Sequence, residues 1–309
     1  MYGMKEKQIQ KEDPKFWYPI LVGYLESKIR YFLKKDSFYE INMPLLNKCS
    51  INKPINFKLN CFDCPSELTS SNALYLSKAS SIYKRVFCCS TVFRKEEADD
   101  KLHLLEFKII EAEWKECNYI NLINKIKEIF SYGIQVYNSF IKENTLSNIL
   151  PLYDKKLSID MIPYNEIPKR LVAAGKDLIP EENDVIYDSK LSSVINNPCI
   201  VMFYPLQASW RAKIKNNSES YTFNLILPNN YGELFEFSVR ETNPVAMEYK
   251  LRHAAIFSQY EWYLDGLKCD PSPTVGFGMG IERFVNWLTQ HGNIRDMQLF
   301  PRDIQYYRR

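Results

Sequence analysis

Two stretches of the chain place apolar residues at helical spacing. In Pro14–Lys35 the apolar positions recur every three or four residues, which predicts a helix in whose first turn Pro19 must lie. From Asn118 to about Glu143 the same spacing predicts a long amphipathic helix that packs against a core. Residues 144–198 show no comparable period, so we predict that they are rich in loops.

Two apolar runs joined by a charged loop predict a β-hairpin. Val86–Phe93 is typical of a buried strand, and the second run, Leu102–Trp114, sets acidic residues among apolar ones. Seven of the eight residues from Arg94 to Lys101 are charged. Because strand side chains alternate, we expect Arg94 and Glu96 to share one strand face.

Shorter apolar runs that end at proline, glycine or asparagine predict further strands. They are Phe38–Pro44, Pro198–Tyr204, Tyr221–Leu227 and Glu233–Arg240. Near the C-terminus a glycine-rich strand, Pro273–Gly280, runs into an amphipathic helix whose first turn contains Arg283. This mixture of strands and helices predicts a sizeable mixed core, and 309 residues are enough for one large or two small domains.

Composition narrows the classes of function. The 40 basic and 37 acidic residues leave a net charge of +3, which is too small to indicate nucleic-acid binding through the overall field. Eight scattered cysteines without a secretory leader are typical of reduced thiols in a cytosol, so we expect a cytoplasmic protein. Cys61 and Cys64 are the one metal-like pair, but with three histidines in the chain a zinc site is the less favoured interpretation. No apolar run approaches the ~20 residues of a membrane helix, and we expect no membrane contact.

The charged hairpin and the glycine-rich strand carry the candidate chemistry. An arginine beside acids suits a polyanion that brings its own metal ion, because a guanidinium grips phosphate oxygens while carboxylates hold Mg²⁺ or an amine. A solvated charged hairpin explains the same residues equally well. Gly276 and Gly278 alternate with larger residues and let a ligand lie against the backbone, and Arg283 lies where the helix dipole favours anions.

These motifs together resemble those of the class II aminoacyl-tRNA synthetases. The Phe-Arg-x-Glu of the hairpin is similar to motif 2 of that class, and the glycine-rich strand followed by Glu282-Arg283 is similar to motif 3. The wording most resembles the asparaginyl/aspartyl catalytic domain, and the likeness covers nearly the whole chain. It is carried by RxE…HLxEF…ExE (Arg94, Glu96, His103, Leu104, Glu106, Phe107, Glu111, Glu113), YxWYxD (Tyr260, Trp262, Tyr263, Asp265) and NIRDxxxFPR (Asn293 to Arg302).

The resemblance implies an α+β fold, with a class II synthetase-type antiparallel β-sheet flanked by helices. It also implies a flexible N-terminus at residues 1–13, one catalytic domain at 14–309, and a homodimer formed through the first helix and strand. In the family, ATP and Mg²⁺ lie over the sheet and an amino acid is activated as its adenylate. The implied ATP ligands are Arg94, Glu96, His103, Phe107, Glu233 and Arg283, and the implied Mg²⁺ ligands are Glu233 and Glu236.

The resemblance also implies a role for each ATP ligand. Phe107 stacks on adenine, and Arg94 holds both the α-phosphate and the attacking carboxylate. Arg283 holds the γ-phosphate, so Arg94 and Arg283 are the implied catalytic residues. His103 lies near the phosphates and Glu96 on the adenine side.

On the amino-acid side the chain departs from the family. Ala73 stands where the family has Gln, Ser77 where it has Glu, and Thr274 where it usually has His. Glu236 and Phe237 replace two glycines, and we expect them to reshape or narrow the pocket. The implied substrate-binding residues are Ser71, Ala73, Ser77, Glu111, Glu236, Phe237, Ser238, Arg240, Thr274, Gly276 and Gly278.

Three residues on this side carry implied roles of their own. Glu111 and Ser71 are candidates for the substrate's amino group, and Arg240 for its side-chain carboxylate or carboxamide. On the ATP side Asn224 stands near a metal-binding Asp of the family, which leaves the number of metal ions open.

Three hypotheses follow. The leading one is an AMP-forming ligase that passes the activated amino acid to a non-standard acceptor such as ammonia, an amine, a carrier or a protein. We favour it because only residues 1–13 precede the first predicted helix, where the family has an anticodon-binding domain. The alternatives are a truncated asparaginyl/aspartyl-type synthetase that charges tRNA, and a non-catalytic synthetase-like binding protein. The sequence does not name the amino acid.

Overall fold

The computed structural model describes residues 13–48, 56–98, 100–153, 157–178 and 184–308. In chain order the helices are α1 (Tyr18–Lys35), α2 (Ala73–Tyr83), α3 (Tyr119–Glu143), α4 (Ile167–Ala173), α5 (Asp184–Ser192), α6 (Pro244–His253), α7 (Phe257–Cys269), α8 (Ile281–Leu288) and α9 (Ile304–Arg308). The strands are β1 (Tyr39–Glu40), β2 (Leu46–Asn47), β3 (Lys58–Cys61), β4 (Cys64–Leu68), β5 (Arg85–Phe93), β6 (Glu106–Lys115), β7 (Asp160–Pro163), β8 (Cys199–Met202), β9 (Thr222–Leu227), β10 (Gly232–Val239) and β11 (Thr274–Gly280).

An eight-stranded sheet in the order β1-β5-β6-β11-β10-β9-β8-β7 forms the centre of the molecule. Its neighbours run antiparallel except at the two edges, where β1 joins β5 and β7 joins β8 in parallel. A smaller sheet has the order β2-β4-β3. The predicted α+β fold, a mainly antiparallel sheet flanked by helices, is confirmed.

The two predicted long helices are present. Pro19 lies in the first turn of α1, where the missing N–H costs nothing. The helix predicted from Asn118 is α3, and the Asn118 side chain caps its start by accepting a hydrogen bond from the Asn121 N–H at 3.0 Å. Both helices bury an apolar stripe in the main core.

The main core lies between one face of the large sheet and helices α1, α3 and α8. Gly133 allows α3 to approach α8, because a Cβ at this position would lie 2.3 Å from the ring of Phe284. Phe237 belongs to this core and stacks on Phe223 with ring centroids 5.4 Å apart. The prediction that Phe237 narrows the substrate pocket is therefore wrong, because alternation along β10 turns its ring toward the helices.

Two other predictions need correction. Residues 144–198 contain β7, α4 and α5, which enclose a second small core with β8. These elements are too short to display a helical period, so the segment gives no signal in the sequence. The strand predicted over Phe38–Pro44 has only the two residues of β1. Of the predicted flexible N-terminus, residues 1–13, all but Asp13 lie outside the described residues.

The other face of the sheet is only partly covered. Helix α2 lies over β5 and β6, and α5 lies against β9 and β10, which leaves the middle strands between them. Across the described ranges, no helix combines the length and the apolar character that a membrane crossing requires.

Candidate functional site

Rows of polar side chains cross the middle of the partly covered face. The register of β6, β11 and β10 places Glu111 beside Gly278 and Gly278 beside Glu236. The next row on the same face consists of Glu113, Gly276 and Ser238. Because residues opposite one another in a sheet share a face, these side chains rise from one surface.

Glu113 is the centre of a buried ion-pair cluster. Its carboxylate, which is fully buried, accepts hydrogen bonds from Arg240 Nη2 at 2.6 Å and from Arg240 Nε at 2.9 Å. Arg211 Nη2 lies 3.3 Å from the same carboxylate, and Arg240 Nη1 also donates to Ser238 Oγ. We call Glu113, Arg211, Arg240 and Ser238 the Glu113 cluster.

The pKa values of the two arginines in the Glu113 cluster are shifted in opposite directions. Burial lowers the pKa of Arg211, and the nearby Arg240 charge lowers it further. Burial opposes the charge on Arg240 as well, but Glu113 raises the pKa of Arg240. Glu113 thus faces both arginines, and the Glu236 charge also raises the pKa of each, so two carboxylates offset the two guanidinium charges.

The lack of a side chain at Gly276 leaves space for the Glu113 carboxylate. A Cβ on Gly276 would lie 2.4 Å from the Glu113 Cδ and 2.6 Å from the Ala112 carbonyl oxygen. At Gly278 the nearest atom to an added Cβ, Ile109 Cδ1, would be 3.5 Å away, which is ordinary contact. The glycine that the sequence assigned to ligand contact at position 276 therefore makes room for a protein carboxylate.

Ser71 and Glu111, both proposed for the substrate's amino group, are in contact. Glu111 is buried and accepts hydrogen bonds from Ser71 Oγ and, at 2.7 Å, from the Asn72 N–H. Burial raises the pKa of Glu111 although these two donors oppose the shift. An ammonium group placed here would meet a carboxylate whose position is already fixed.

Three of the positions that depart from the pattern of the family that the sequence resembles, Ala73, Ser77 and Thr274, lie around this end of the face. Ala73 and Ser77 are buried on α2, and Ser77 Oγ lies 3.4 Å from the Tyr263 hydroxyl. Thr274 is also buried, and its Oγ1 donates to the Ser272 carbonyl oxygen at 3.0 Å. Tyr263 is close enough to the Glu113 cluster for Arg211 to affect its pKa, which burial raises. Ser77 is thus linked to the cluster through Tyr263.

A second group of residues forms the other end of the face. The guanidinium of Arg283 donates to two backbone carbonyl oxygens, from Nη1 to that of Glu233 at 2.5 Å and from Nη2 to that of Leu102 at 3.2 Å. The Arg94 Cζ lies 5.3 Å from the ring centroid of Phe107. We call Arg94, Phe107, Asn224, Glu233 and Arg283 the Glu233 cluster.

The charges of the Glu233 cluster act on one another. Burial lowers the pKa of Arg283, the Glu233 carboxylate opposes that shift, and the Arg94 charge adds to it. Within the part of the chain that the structure describes, the buried Arg94 Nε has no hydrogen-bond partner. Two arginines thus lie close enough for their charges to oppose one another, which is an arrangement that suits a polyanion.

Glu233 lies in a group of acids joined by an amide. Asn224 Nδ2 donates to Glu233 Oε2 and to Asp188 Oδ2, both at 2.9 Å, and the Tyr204 hydroxyl donates to Asp188 Oδ1 at 2.7 Å. Burial and the charges of Glu236 and Asp188 raise the pKa of Glu233 to about 7. Among the described residues, the buried Asn224 Oδ1 has no partner.

These groups fit Mg²⁺ held jointly with phosphate oxygens. Carboxylate and amide oxygens are the ligands that Mg²⁺ prefers, and Glu233, Glu236 and Asn224 Oδ1 provide them. The described residues contain no group of three His, Cys, Asp or Glu side chains arranged to hold an ion. The ion would therefore complete its coordination with water and substrate, which is usual for Mg²⁺.

The charged loop differs from its prediction. β5 ends at Phe93, and the Glu96 N–H bonds to the Arg94 carbonyl oxygen at 2.8 Å in a tight turn. Arg94 and Glu96 therefore do not share a strand face, because the strand ends before both of them. His103 Nδ1 lies 2.7 Å from Asp100 Oδ2, and the ring is partly exposed.

Two residues of the site gave no signal in the sequence. Asp188 lies on the short helix α5, in the segment predicted as loops. Arg211 reaches the site because its neighbour Ala212 forms an isolated β-bridge with Arg240. Cys61 and Cys64 lie opposite one another at the β3–β4 turn.

Comparison with known proteins places these observations in a family. A family model described as "tRNA synthetases class II (D, K and N)" matches residues 24–304. The asparagine–tRNA ligase of Lactobacillus gasseri is 25% identical over 284 residues, covering 88% of this chain and 65% of the relative. That of Herpetosiphon aurantiacus is 27% identical over 302 residues, covering 88% and 66%. This chain therefore spans about two thirds of the length of these relatives.

Solved structures give the same fold. The asparaginyl-tRNA synthetase of Pyrococcus horikoshii, complexed with asparaginyl-adenylate, superposes with a TM-score of 0.86 and 25% identity, covering 94% of this chain and 69% of that one. The aspartyl-tRNA synthetase of Entamoeba histolytica superposes with a TM-score of 0.76 at 20% identity, which supports the fold alone.

Proposed function

The chain belongs to the class II tRNA synthetases of the D, K and N group, and we propose that it activates an amino acid with ATP and transfers the aminoacyl group to tRNA. The sequence favoured a non-standard acceptor. The comparisons support the tRNA alternative better, because the relatives are named as asparagine–tRNA ligases. Asparagine is accordingly the first amino acid to test.

One observation supports this proposal above the others. A single sheet face brings a buried carboxylate with fixed donors, Glu111, to one end and two mutually interacting arginines, Arg94 and Arg283, to the other. An amino acid carries an ammonium group on the carbon next to its carboxylate, and ATP carries a chain of phosphates. A face with a fixed acid at one end and arginines at the other suits the two reactants laid side by side.

The reaction we propose is an in-line attack of the amino acid's carboxylate on the α-phosphorus of ATP. The new bond joins a carboxylate oxygen to the α-phosphorus, and the bond to the bridging oxygen breaks to release pyrophosphate. Arg94 would hold the α-phosphate and the attacking carboxylate, and Arg283 the γ-phosphate, so alignment and charge neutralisation lower the barrier without a protein nucleophile.

Glu233 and Glu236 would hold Mg²⁺ on the phosphates. When bound, the ion offsets the charge that develops on the phosphate oxygens. Phe107 would stack on adenine, while His103 and Glu96 border the same nucleotide. Asn224 keeps Glu233 and Asp188 apart in a defined geometry through its amide.

The amino acid's side chain would meet the Glu113 cluster. Arg240 is already bound to Glu113 and Ser238, so its free capacity for a second partner is small. A neutral carboxamide can both donate to Glu113 and accept from an arginine, whereas a carboxylate can only accept. This difference supports asparagine over aspartate.

The test is ATP–pyrophosphate exchange with asparagine, aspartate and the other amino acids, followed by acylation of total tRNA. We expect exchange with asparagine and formation of aminoacyl-tRNA. Exchange without acylation of tRNA would overturn the proposed acceptor and favour the non-standard acceptor. Absence of exchange with every amino acid would overturn activation itself and favour the non-catalytic alternative.

We also propose a homodimer formed along the edge of the sheet. β1 is the edge strand beside β5, and Tyr39 on it is 62% exposed. The Tyr39 ring contacts that of Tyr83, which is also exposed, so the edge carries an aromatic surface. Light scattering after size exclusion should give twice the monomer mass of 36.5 kDa, and a monomer at micromolar concentration would overturn this proposal.

A further inference from the structure

Strand β6 extends beyond its neighbour β11. The last pair between them joins Gly280 to Ile109, and the chain after Gly280 turns into α8. The preceding residues of β6, Glu106 to Lys108, therefore have no strand of the described part of the chain beside them on that side. In a strand, backbone polar groups alternate between the two sides, so the Lys108 N–H and the Glu106 carbonyl face the missing neighbour. Left unpaired, each of them would be costly.

Two side chains replace the missing strand. The Lys108 N–H donates to both carboxylate oxygens of Glu282, at 3.0 and 3.1 Å. Gln298 Nε2 donates to the Glu106 carbonyl oxygen at 3.1 Å and to Glu282 Oε1 at 2.9 Å. Glu282 is 1% exposed, so this bridge is built into the interior. The ladder is thus continued by side chains for the residues that lack a strand partner.

The residue enclosed by this bridge is Phe107. Its own backbone faces the opposite side, where it is paired with Val92 of β5. The backbone on both flanks of Phe107 is therefore fixed, on one side by a strand and on the other by Glu282 and Gln298. Arg94 is also bound to this segment. Its N–H donates to the Leu105 carbonyl oxygen at 2.9 Å, and its guanidinium lies over the Phe107 ring.

We propose that Glu282 and Gln298 are positioning residues that fix the height and tilt of the Phe107 ring for stacking on the purine base of ATP. This inference rests on the proposed function, which supplies the nucleotide. Neither residue touches the nucleotide in this arrangement. Their effect passes through the backbone of Phe107, so it should act on the base and not on the phosphates.

The experiment measures binding of two ligands by calorimetry, ATP and inorganic tripolyphosphate, in the presence of Mg²⁺. Tripolyphosphate has the same chain of three phosphates as ATP but no base. Gln298→Leu removes the donor to Glu106 and to Glu282 while it keeps the volume of the side chain. We expect it to weaken ATP about 3- to 10-fold, the loss of roughly one hydrogen bond's positioning, and to leave tripolyphosphate within about twofold.

Phe107→Leu and the double variant locate the effect. Phe107→Leu should weaken ATP by at least as much as Gln298→Leu, and the double variant should be no weaker than Phe107→Leu alone, because the ring is already absent. Asn138→Leu is the matched control. The Asn138 amide also bridges backbone groups, donating to the Tyr153 carbonyl oxygen at 2.9 Å, but it lies on α3. It should leave the affinity for ATP unchanged.

The outcomes separate the two proposals. If wild-type protein binds neither ligand, or if Phe107→Leu leaves ATP affinity intact, the proposed nucleotide site is wrong. If Phe107→Leu weakens ATP but Gln298→Leu does not, only the positioning role is overturned. Equal weakening of ATP and tripolyphosphate by Gln298→Leu would likewise overturn it, because general loss of structure affects both ligands. Additive effects in the double variant would show that Gln298 acts by another route.

Discussion

The two ends of the sheet face solve the problem of buried charge differently. In the Glu113 cluster both arginines pair with the Glu113 carboxylate, and Arg240 directs three of its nitrogen atoms to protein acceptors. In the Glu233 cluster the Arg283 guanidinium donates to backbone carbonyls, while among the described residues Arg94 Nε and Asn224 Oδ1 have no partner. The charged groups of the Glu113 cluster bind one another, whereas the Glu233 cluster has, among the described residues, two buried polar atoms available to a ligand.

This difference indicates how each end can bind. A ligand at the Glu113 cluster enters a finished network, so it is selected by fit and by how well it joins existing hydrogen bonds. A ligand at the Glu233 cluster supplies charges that the protein lacks, so it should contribute strongly to the stability of this end. The following variants test that contrast, from the largest expected effect to the smallest.

Glu113→Ala should cause the largest loss of stability. It leaves the buried guanidinium groups of Arg211 and Arg240 without their carboxylate, and breaking a buried ion pair typically costs about 3–5 kcal/mol. Urea unfolding measures the loss. The control is Glu248→Ala, which removes an exposed partner of Arg252 on α6 and should change the free energy of unfolding by less than about 1 kcal/mol. Equal losses of stability in the two variants would mean that the buried ion pairs of the Glu113 cluster do not stabilise the fold more than an exposed pair does.

Arg94→Ala should have the opposite profile, with a large loss of activity and a small loss of stability. Removing one preorganised donor to a developing charge typically costs about 100- to 1,000-fold in rate, and we expect this loss in ATP–pyrophosphate exchange. The side chain makes a contact with Phe107 worth only about 0.5–1 kcal/mol.

The matched control for Arg94 is Arg252→Ala. Arg252 also lies over an aromatic ring, with its Cζ 4.0 Å from the centroid of Phe257. It is on α6, outside both clusters, and its loss should leave exchange within about twofold. If Arg94→Ala retained full exchange, the Glu233 cluster would not be the nucleotide end.

Sequence alone predicted the parts of this molecule that are continuous along the chain. The hairpin of β5 and β6 was predictable because two long apolar runs flank a charged loop, and α3 because its 25 residues repeat a helical period. The segment of β7, α4 and α5 was not, since each element has fewer than ten residues. Their burial depends on packing together, which no local pattern records.

The site shows the same limit in another form. Glu111 and Arg283 could be proposed from motifs, but the contact of Glu113 with Arg211 depends on an isolated β-bridge far along the chain. Phe237 was assigned to the pocket by its place in a motif. A β-bulge between Glu233 and Phe235 sets which β10 side chains face the site, and a bulge is not visible in the sequence.

Gly276→Ala should disturb the Glu113 cluster from within. The added methyl would lie 2.4 Å from the Glu113 Cδ, and overpacking of this kind costs about 1–3 kcal/mol. Gly278→Ala on the same strand is the control, because its methyl would meet ordinary contacts of 3.5 Å or more and should cost less. Thermal unfolding compares the two. Equal losses would show that the cost comes from strand backbone and not from the carboxylate.

Glu282, behind the Glu233 cluster, should make stability depend on pH in a defined direction. Burial raises the pKa of Glu282 to about 6 from its ordinary 4.5, although Gln298 and the Lys108 N–H oppose the shift. The folded protein therefore holds this proton more tightly than the unfolded chain does, and the stability linked to it is lost as pH rises from 4.5 to 6. The shift corresponds to on the order of 2 kcal/mol.

Glu282→Gln cannot ionise, so its stability relative to wild type should rise across this window and stay constant above it, as urea unfolding at several pH values would measure. Glu261→Gln, at an exposed carboxyl on α7, is the control and should give no such slope. If the difference in stability between Glu282→Gln and wild type did not vary with pH, burial would not raise the pKa of Glu282 as described.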